Sequence, residues 1–227
     1  MQKLEPIARI RTDFSSKFGI PRQSGLAEAL EGTIVFEPPY RDPSALRGLE
    51  GYSHLWLIWQ FSESVMERWS PTVKPPRLGG NTRVGVFATR SPFRPNPLGL
   101  SCVRLTGVAL STPEGPVIRV AGADLLDGTP IYDIKPYIPY ADCHPEATGG
   151  FTEGISREPM PVEFPEALLA LIPAEKREAL IQVLAQDPRP GYRHEGDGKR
   201  YGVQFAGWDV RFHVDGDVLT VVEVVST

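Results

Sequence analysis

GLSCVRLTGV, residues Gly99–Val108, decides the class of fold. Ser101, Val103 and Leu105 fall on one side of a two-residue repeat, with Cys102 and Arg104 on the other. A strand with one buried face produces that alternation, whereas a helix needs apolar residues three and four apart. The stretch is therefore a strand, and similar segments lie on both sides of it. Upstream, Ile7–Arg11, Gly32–Phe36, Tyr52–Phe61 and Arg83–Ala88 are short and rich in Val, Ile and aromatics. Downstream, Val117–Ala121 and Ile131–Lys135 read the same way, and Gly/Pro-rich turns separate them all. One short helical turn fits among them, with Asp42 as cap and Pro43 at its first position. Strands with so little helix between them predict a mainly β fold, a barrel or sandwich, over residues 1–140.

The character of the chain changes after Tyr140. Residues 141–162 carry Pro, Gly, Thr and Ser without periodicity and read as a linker or long loop. Residues 163–227 predict a small α+β domain. Pro165–Leu171 and Pro173–Gln186 read as helices, the second with Leu180, Ile181 and Leu184 along one face. Two strands follow, Tyr201–Val214 and Asp217–Val225, joined at Asp215-Gly216, a dipeptide that favours a type I′ turn.

Composition narrows the function classes. The 227 residues are 41% hydrophobic and carry a net charge of −4, ample for a folded core and unsuited to coating nucleic acid wholesale. The distribution of charge says more. From Arg68 to Pro113 there are seven Lys or Arg and no Asp or Glu, a basic segment within a mildly acidic chain. Such a segment suits an anion, or is simply a solvated face. The first fifteen residues lack the apolar core of a signal peptide, and Leu55–Trp59 is far too short to span a bilayer, so a cytoplasmic, non-membrane protein is expected. Two cysteines, Cys102 and Cys143, make neither a disulfide framework nor a zinc pattern, and His54, His144, His194 and His213 are scattered. No metal is expected. Cys102 reads as a small buried hydrophobe and Cys143 as a loop thiol. No dinucleotide fingerprint, P-loop, HExxH or GxSxG occurs.

Four motifs remain to carry chemistry. In DLLDGTPIYDIKPY, Asp124–Tyr137, a turn at Asp127-Gly128 precedes a strand that places Asp133, Lys135 and Tyr137 on one face. A carboxylate, an ammonium and a phenol together suit proton handling or substrate fixing, although a solvent-facing strand with one ion pair has the same pattern. GVFATRSPFRPNPLG, Gly85–Gly99, interleaves Arg90 and Arg94 with Phe87, Phe93 and three prolines. Those prolines fix φ and predict a stiff extended loop in place of a flexible linker. LAQDPRPGYRHEGDGKR, Leu184–Arg200, sets arginines beside Tyr192 in a turn-rich segment, a pattern fit for phosphates and base stacking. PRQSG, Pro21–Gly25, is a polar turn whose glycine can approach a ligand closely.

Together with RGLEGYSHLWLIW, Arg47–Trp59, these motifs resemble the TrmO (TsaA-like) family of S-adenosylmethionine-dependent tRNA methyltransferases, in its longer bacterial form. The resemblance implies a single-sheet β-barrel enzyme acting as a homodimer with its cofactor near the subunit interface. Its implied substrate is the threonylcarbamoyl-modified adenosine beside the anticodon of a threonine tRNA, methylated on the exocyclic nitrogen. It further implies that Gln23, Ser24, Gly25, Phe61, Ser62, Arg90, Leu100 and Asp124–Asp127, including Leu125 and Leu126, line the cofactor site. Arg90 would pair with the cofactor carboxylate, and Asp124 or Asp127 would accept from its amino group or ribose. The acceptor nitrogen is a poor nucleophile that must lose a proton, so Asp133, or Tyr137 with its pKa lowered beside Lys135, is the expected base. Arg83, Arg94, Arg189, Tyr192 and Arg193 are left as candidates for tRNA contacts. A small-molecule methyltransferase of the same fold and a non-catalytic RNA-binding barrel stand as alternatives.

Overall fold

The computed structural model describes residues 3–64, 68–78, 81–154, 158–189 and 199–227, with Arg77 described in its backbone only. The expected β-barrel is present. Strands β1 (Ala8–Arg11), β2 (Glu31–Phe36), β3 (His54–Gln60), β4 (Thr72–Val73), β5 (Val84–Gly85), β6 (Leu98–Ala109), β7 (Val117–Ala121) and β8 (Pro130–Pro136) occupy the N-terminal part. Six of them close in the order β1-β2-β7-β6-β3-β8, every neighbouring pair antiparallel. Closure removes exposed edges, so this sheet offers no ladder for unwanted pairing.

The alternation read from Gly99–Val108 decides which side chains fill the barrel. Ser101 and Val103 point inward at 1% exposure, and Leu55, Leu57, Ile10, Ile34, Ile118 and Ile131 meet them from the other strands. Cys102 faces outward and is only half-buried, so it is not the core residue expected. The reason is register: with Ser101 and Val103 inside, the residue between them must lie outside.

One strand expected from the sequence does not join the barrel. Only Val84–Gly85 of Arg83–Ala88 is extended, and it pairs with β4 in a separate two-stranded ribbon. A 3-10 turn over Val86–Ala88 ends it, pinned by Val86 N donating to Pro71 O at 2.9 Å and Thr89 Oγ1 donating to Val86 O at 2.8 Å. The small turn at Pro43–Leu46 forms as read, with Asp42 Oδ1 accepting from Ser44 N at 2.8 Å.

Beyond the barrel lie α1 (Pro139–Asp142), β9 (Val162–Glu163), α2 (Glu166–Leu169), α3 (Ala174–Ala185), β10 (Tyr201–Phe205), β11 (Trp208–Asp215) and β12 (Val218–Ser226). The last three strands form an antiparallel meander, and β9 adds to β12 in parallel. The single strand expected at Tyr201–Val214 is thus two. Ala206 and Gly207 have φ of 50° and 85°, the paired positive φ of a type I′ turn, and Phe205 pairs with Trp208 across it. The second hairpin turns at Gly216-Asp217, with Asp215 paired to Val218. Positive φ occurs there only at Gly216, the pattern of a type II′ turn and not the type I′ turn expected at Asp215-Gly216.

The C-terminal unit does not build its core alone. Phe14, Ala27 and Leu30 are buried together with Leu180, Val183, Leu184, Val203, Phe205 and Phe212. Phe14 meets Phe205 edge-on at 5.6 Å, Ala206 N donates to Asp13 O at 2.8 Å, and Lys176 Nζ pairs with Asp13 at 2.7 Å. The segment between β1 and β2 therefore belongs to the second core, and it is this segment that carries PRQSG.

Candidate active site

Two glycines fix the position of PRQSG against the barrel. Gly25 N donates to Gly122 O at 2.9 Å, and a Cβ on Gly122 would lie 3.3 Å from both Cα and N of Gly25. Both glycines have positive φ, 80° and 76°, so only residues without a side chain suit this contact. With the two backbones touching, Ser24 N reaches the Asp124 carboxylate. Gln23 Oε1 accepts from Arg90 Nη1, and the Arg90 charge acts on Asp124. Three segments far apart in sequence, Gln23–Gly25, Arg90 and Asp124, thus meet at one end of the barrel.

Asp124 is held from the inside by a hydrogen-bond relay. Trp59 Nε1 donates to Ser101 Oγ at 2.9 Å, and Ser101 Oγ donates to Asp124 Oδ1 at 2.6 Å. Gly99 makes room for the indole, since a Cβ there would lie 2.3 Å from the Trp59 ring. Burial pushes the Asp124 carboxyl above its ordinary range, although Ser101, Arg90 and Ser24 N each pull it down. A largely buried carboxylate facing a guanidinium, beside an open glycine backbone, is a donor set that fits a zwitterionic amino acid attached to a nucleoside.

The remaining residues expected at the cofactor divide. Leu100 is 52% exposed on the outer face of β6. Phe61 packs on Trp59 with ring centroids 4.3 Å apart, and its N donates to Pro97 O at 2.9 Å, tying the end of β3 to the proline-rich loop. Ser62 is exposed in the 3-10 turn that follows. Leu125 is wholly buried in the barrel core and offers a ligand only backbone groups, and Leu126, partly buried, packs on the second core. Asp127 lies elsewhere: its Oδ1 accepts from Thr12 N at 3.0 Å, in a groove lined by Arg9, Arg11 and Arg41.

The outer face of β6, β3 and β8 carries the expected proton-handling residues. Leu100, Ile58 and Asp133 form one row across the three strands, Cys102, Trp56 and Lys135 the next, and Arg104 faces His54 beyond them. Two interstrand spacings separate Leu100 from Asp133, about 10 Å between Cα atoms. Lys135 Nζ pairs with Asp133 Oδ2 at 2.8 Å, both side chains partly exposed, and Asp133 Oδ1 accepts from Ile134 N at 2.9 Å. Tyr137 packs against Trp56 and His54, with ring centroids at 5.9 and 6.2 Å. Its phenol is not acidified by Lys135. Partial burial and the neighbouring Cys143 and Cys102 thiols raise its pKa, so Tyr137 is neutral and donates, contrary to the expectation of a lowered value. Cys102 is itself pushed up by burial.

The proline-rich loop is braced and compact. Arg94 N donates to Pro92 O at 2.9 Å and Leu98 N to Asn96 O at 2.7 Å, tight turns in place of a uniformly extended run. Arg94 Nη1 donates to Thr89 O at 3.0 Å, so this guanidinium staples its own loop instead of projecting as expected. Arg189 behaves similarly: its fork grips Asp187 at 2.8 and 3.0 Å with 13% of the side chain exposed, and its carbonyl accepts from Arg22 at 3.1 Å. Arg83 is exposed, with Nη1 on Thr72 Oγ1 at 2.8 Å. Tyr192 and Arg193 lie outside the described residues. Ser101, Trp59 and Gly122 were not foreseen; a polar residue at an inward position of an alternating strand was the available signal for Ser101. Among the described residues no cluster of His, Cys, Asp or Glu is placed to hold a metal ion, and no helix is long and apolar enough to cross a membrane.

The closed six-stranded barrel and the domain that follows it match one class of methyltransferase in both sequence and structure. Residues 9–143 match the tRNA-methyltransferase O N-terminal domain and residues 157–227 the TrmO C-terminal domain, so the chain belongs to the TrmO family. It is 43% identical to the tRNA (adenine(37)-N6)-methyltransferase of Escherichia coli, over 93% of each chain. A mouse protein of the same name is 38% identical over 59% of this chain and 30% of its own length. The crystal structure of TrmO from Pseudomonas aeruginosa superposes with a TM-score of 0.80 at 37% identity, covering 100% of this chain and 99% of that one.

Proposed function

We propose that this protein transfers a methyl group from S-adenosylmethionine to the exocyclic N6 of the adenosine 3′ of the anticodon. The preferred substrate in this reading is a threonine tRNA whose adenosine already carries the threonylcarbamoyl group, and the protein works in the cytoplasm. The observation that carries the reading is the meeting of Gln23, Ser24, Arg90 and Asp124 at Ser101, whose neighbour Leu100 begins the row across β3 that ends at Asp133. The relatives' names supply the reaction to which that arrangement is fitted.

When bound, S-adenosylmethionine supplies an electrophilic methyl group on a sulfonium. Arg90, oriented by Gln23, pairs with its carboxylate. Asp124 ionises to meet its ammonium, and Leu100 offers apolar surface. Asp133 takes the proton from the acceptor nitrogen, with Lys135 at 2.8 Å holding the carboxylate in place. Tyr137, neutral, donates a hydrogen bond that orients the modified base. The apolar stripe on this face, exposed Leu98 and Leu100 beside half-buried Trp56 and Ile58, supports a homodimer that closes over the site.

Nucleoside mass spectrometry of tRNA from a strain lacking the protein tests the reaction. The methylated form of the modified adenosine disappears, and supplying the Asp133→Ala variant does not restore it. Retention of the methyl group in that strain would exclude the proposed reaction. If Asp133→Ala and Tyr137→Phe both kept wild-type single-turnover rates at unchanged cofactor affinity, the acid–base assignment would be wrong.

A further inference from the structure

Trp69 and Phe87 form an exposed aromatic pair that the cofactor cleft and the Asp133 face do not use. Their ring centroids are 6.3 Å apart at an interplanar angle of 31°, with 51% and 74% of each residue exposed. Side by side, the two rings make a contiguous apolar patch, and a patch of that kind rimmed by polar residues marks an interaction site. The backbone beneath is fixed: β4 pairs with β5, Val86 N is bonded to Pro71 O, and Val86 itself is buried at 1% exposure. The rings are therefore presented by a braced ribbon and need little ordering to receive a partner.

Charge selects the kind of partner. The pair sits in the stretch from Arg68 to Pro113, which holds seven Lys or Arg and no acid. Exposed Arg68, Lys74 and Arg83 lie on the same ribbon or immediately beside it. A partner that is flat and apolar on its faces and negatively charged at its edge matches this combination, and that describes an unstacked nucleobase with its phosphate. We propose that Trp69 and Phe87 form a stacking platform for a base of the anticodon loop other than the methylated adenosine, with Arg83 holding an adjoining phosphate. The platform rests on the RNA reading above. It adds to that reading by giving the loop a second anchor outside the reaction site, one that fixes how the adenosine enters.

The test uses anticodon stem–loop RNA carrying 2-aminopurine at single loop positions, titrated into the full-length protein. Stacking on the platform quenches one position in the wild type. Trp69→Ala and Phe87→Ala each abolish that quenching and weaken RNA binding about 5- to 150-fold. The salt slope stays the same in these variants, because no charge is removed, and Trp69→Phe restores most of the affinity. Arg83→Ala instead lowers the salt slope by about one. Calorimetric binding of S-adenosylmethionine is unchanged in all of them, which shows that the variants are folded. Wild-type RNA affinity in both aromatic variants overturns the platform and leaves the RNA reading standing. A change in sedimentation to a smaller species in those variants overturns it too, since the occupant is then a second copy of the chain. Failure of the wild type to bind RNA removes the broader reading, and the platform with it.

Discussion

Ser101→Ala removes one hydroxyl that serves two buried partners. In the native barrel Ser101 Oγ accepts from Trp59 Nε1 at 2.9 Å and donates to Asp124 Oδ1 at 2.6 Å, and the residue is 1% exposed. Alanine fits the space, so no packing clash confuses the outcome. The indole N–H loses its acceptor, and Asp124 loses the strongest of the interactions that hold its pKa down. Each buried polar group left without a partner costs about 1–3 kcal/mol. Asp124 keeps Ser24 N and the Arg90 charge, so its share falls at the low end, and a total of about 2–3 kcal/mol is expected. Urea denaturation monitored by tryptophan fluorescence measures the loss. Because the removed hydroxyl favoured the ionised carboxylate, the Asp124 pKa rises further, and at neutral pH the affinity for S-adenosylmethionine falls in calorimetry. A double-mutant cycle with Asp124→Asn isolates the coupling, about 0.5–3 kcal/mol for groups in direct contact. An unchanged denaturation midpoint together with unchanged cofactor affinity would refute the relay.

Gly122→Ala forces a side chain onto a φ of 76° and against the Gly25 backbone, so about 1–2 kcal/mol of stability is lost and cofactor affinity drops, measured by thermal melting and calorimetry. Pro95→Gly loosens the proline-rich loop and weakens tRNA binding while leaving the circular dichroism spectrum and melting temperature near wild type; equal affinity would return that loop to the status of a linker. The Asp124 pKa is higher in the folded protein than in the unfolded chain, so its contribution to stability is complete below the unfolded value and is lost as pH rises through the folded one. Asp124→Asn therefore raises the melting temperature at neutral pH and not in acid, as differential scanning calorimetry at both pH values will show. Cofactor affinity of the wild type follows the opposite course, weakening as pH falls and Asp124 is protonated, which a calorimetric pH series detects.

The barrel was legible because its strands alternate strictly, as Ser101 and Val103 against Cys102 and Arg104 show. Register and pairing partners were not, since period alone does not say which strand lies opposite which. The motif Asp124–Tyr137 shows the same division. Its strand and the shared face of Asp133 and Lys135 followed from a repeat of two, but its two halves serve different places: Asp124 turns to Ser101 and Arg90, and Asp127 to Thr12 on another side of the barrel. The direction of the Tyr137 shift was misjudged because Lys135 is near in sequence, whereas the burial that dominates it and the approach of the Cys143 and Cys102 thiols come from the fold. Arg94 and Arg189 were read as outward cations, although a guanidinium beside turn carbonyls or an i−2 aspartate can brace its own loop. Type I′ geometry was assigned to Asp215-Gly216, yet it occurs at Ala206-Gly207, where alanine gave no warning of a positive φ.

Phe14, Ala27 and Leu30 belong to a core completed by the last strands of the chain, and this sets an order of events during synthesis. Ser15 bonds to Gln204, its partner 189 residues further along. At about 5–20 residues per second, the segment carrying PRQSG waits roughly 10–40 s for the strands that will cover it. Throughout that interval its apolar side chains have no native place to go, and loop closure over such a separation is slow even afterwards. The segment between β1 and β2 is therefore among the last parts of the molecule to mature, its apolar side covered only when the C-terminal sheet arrives.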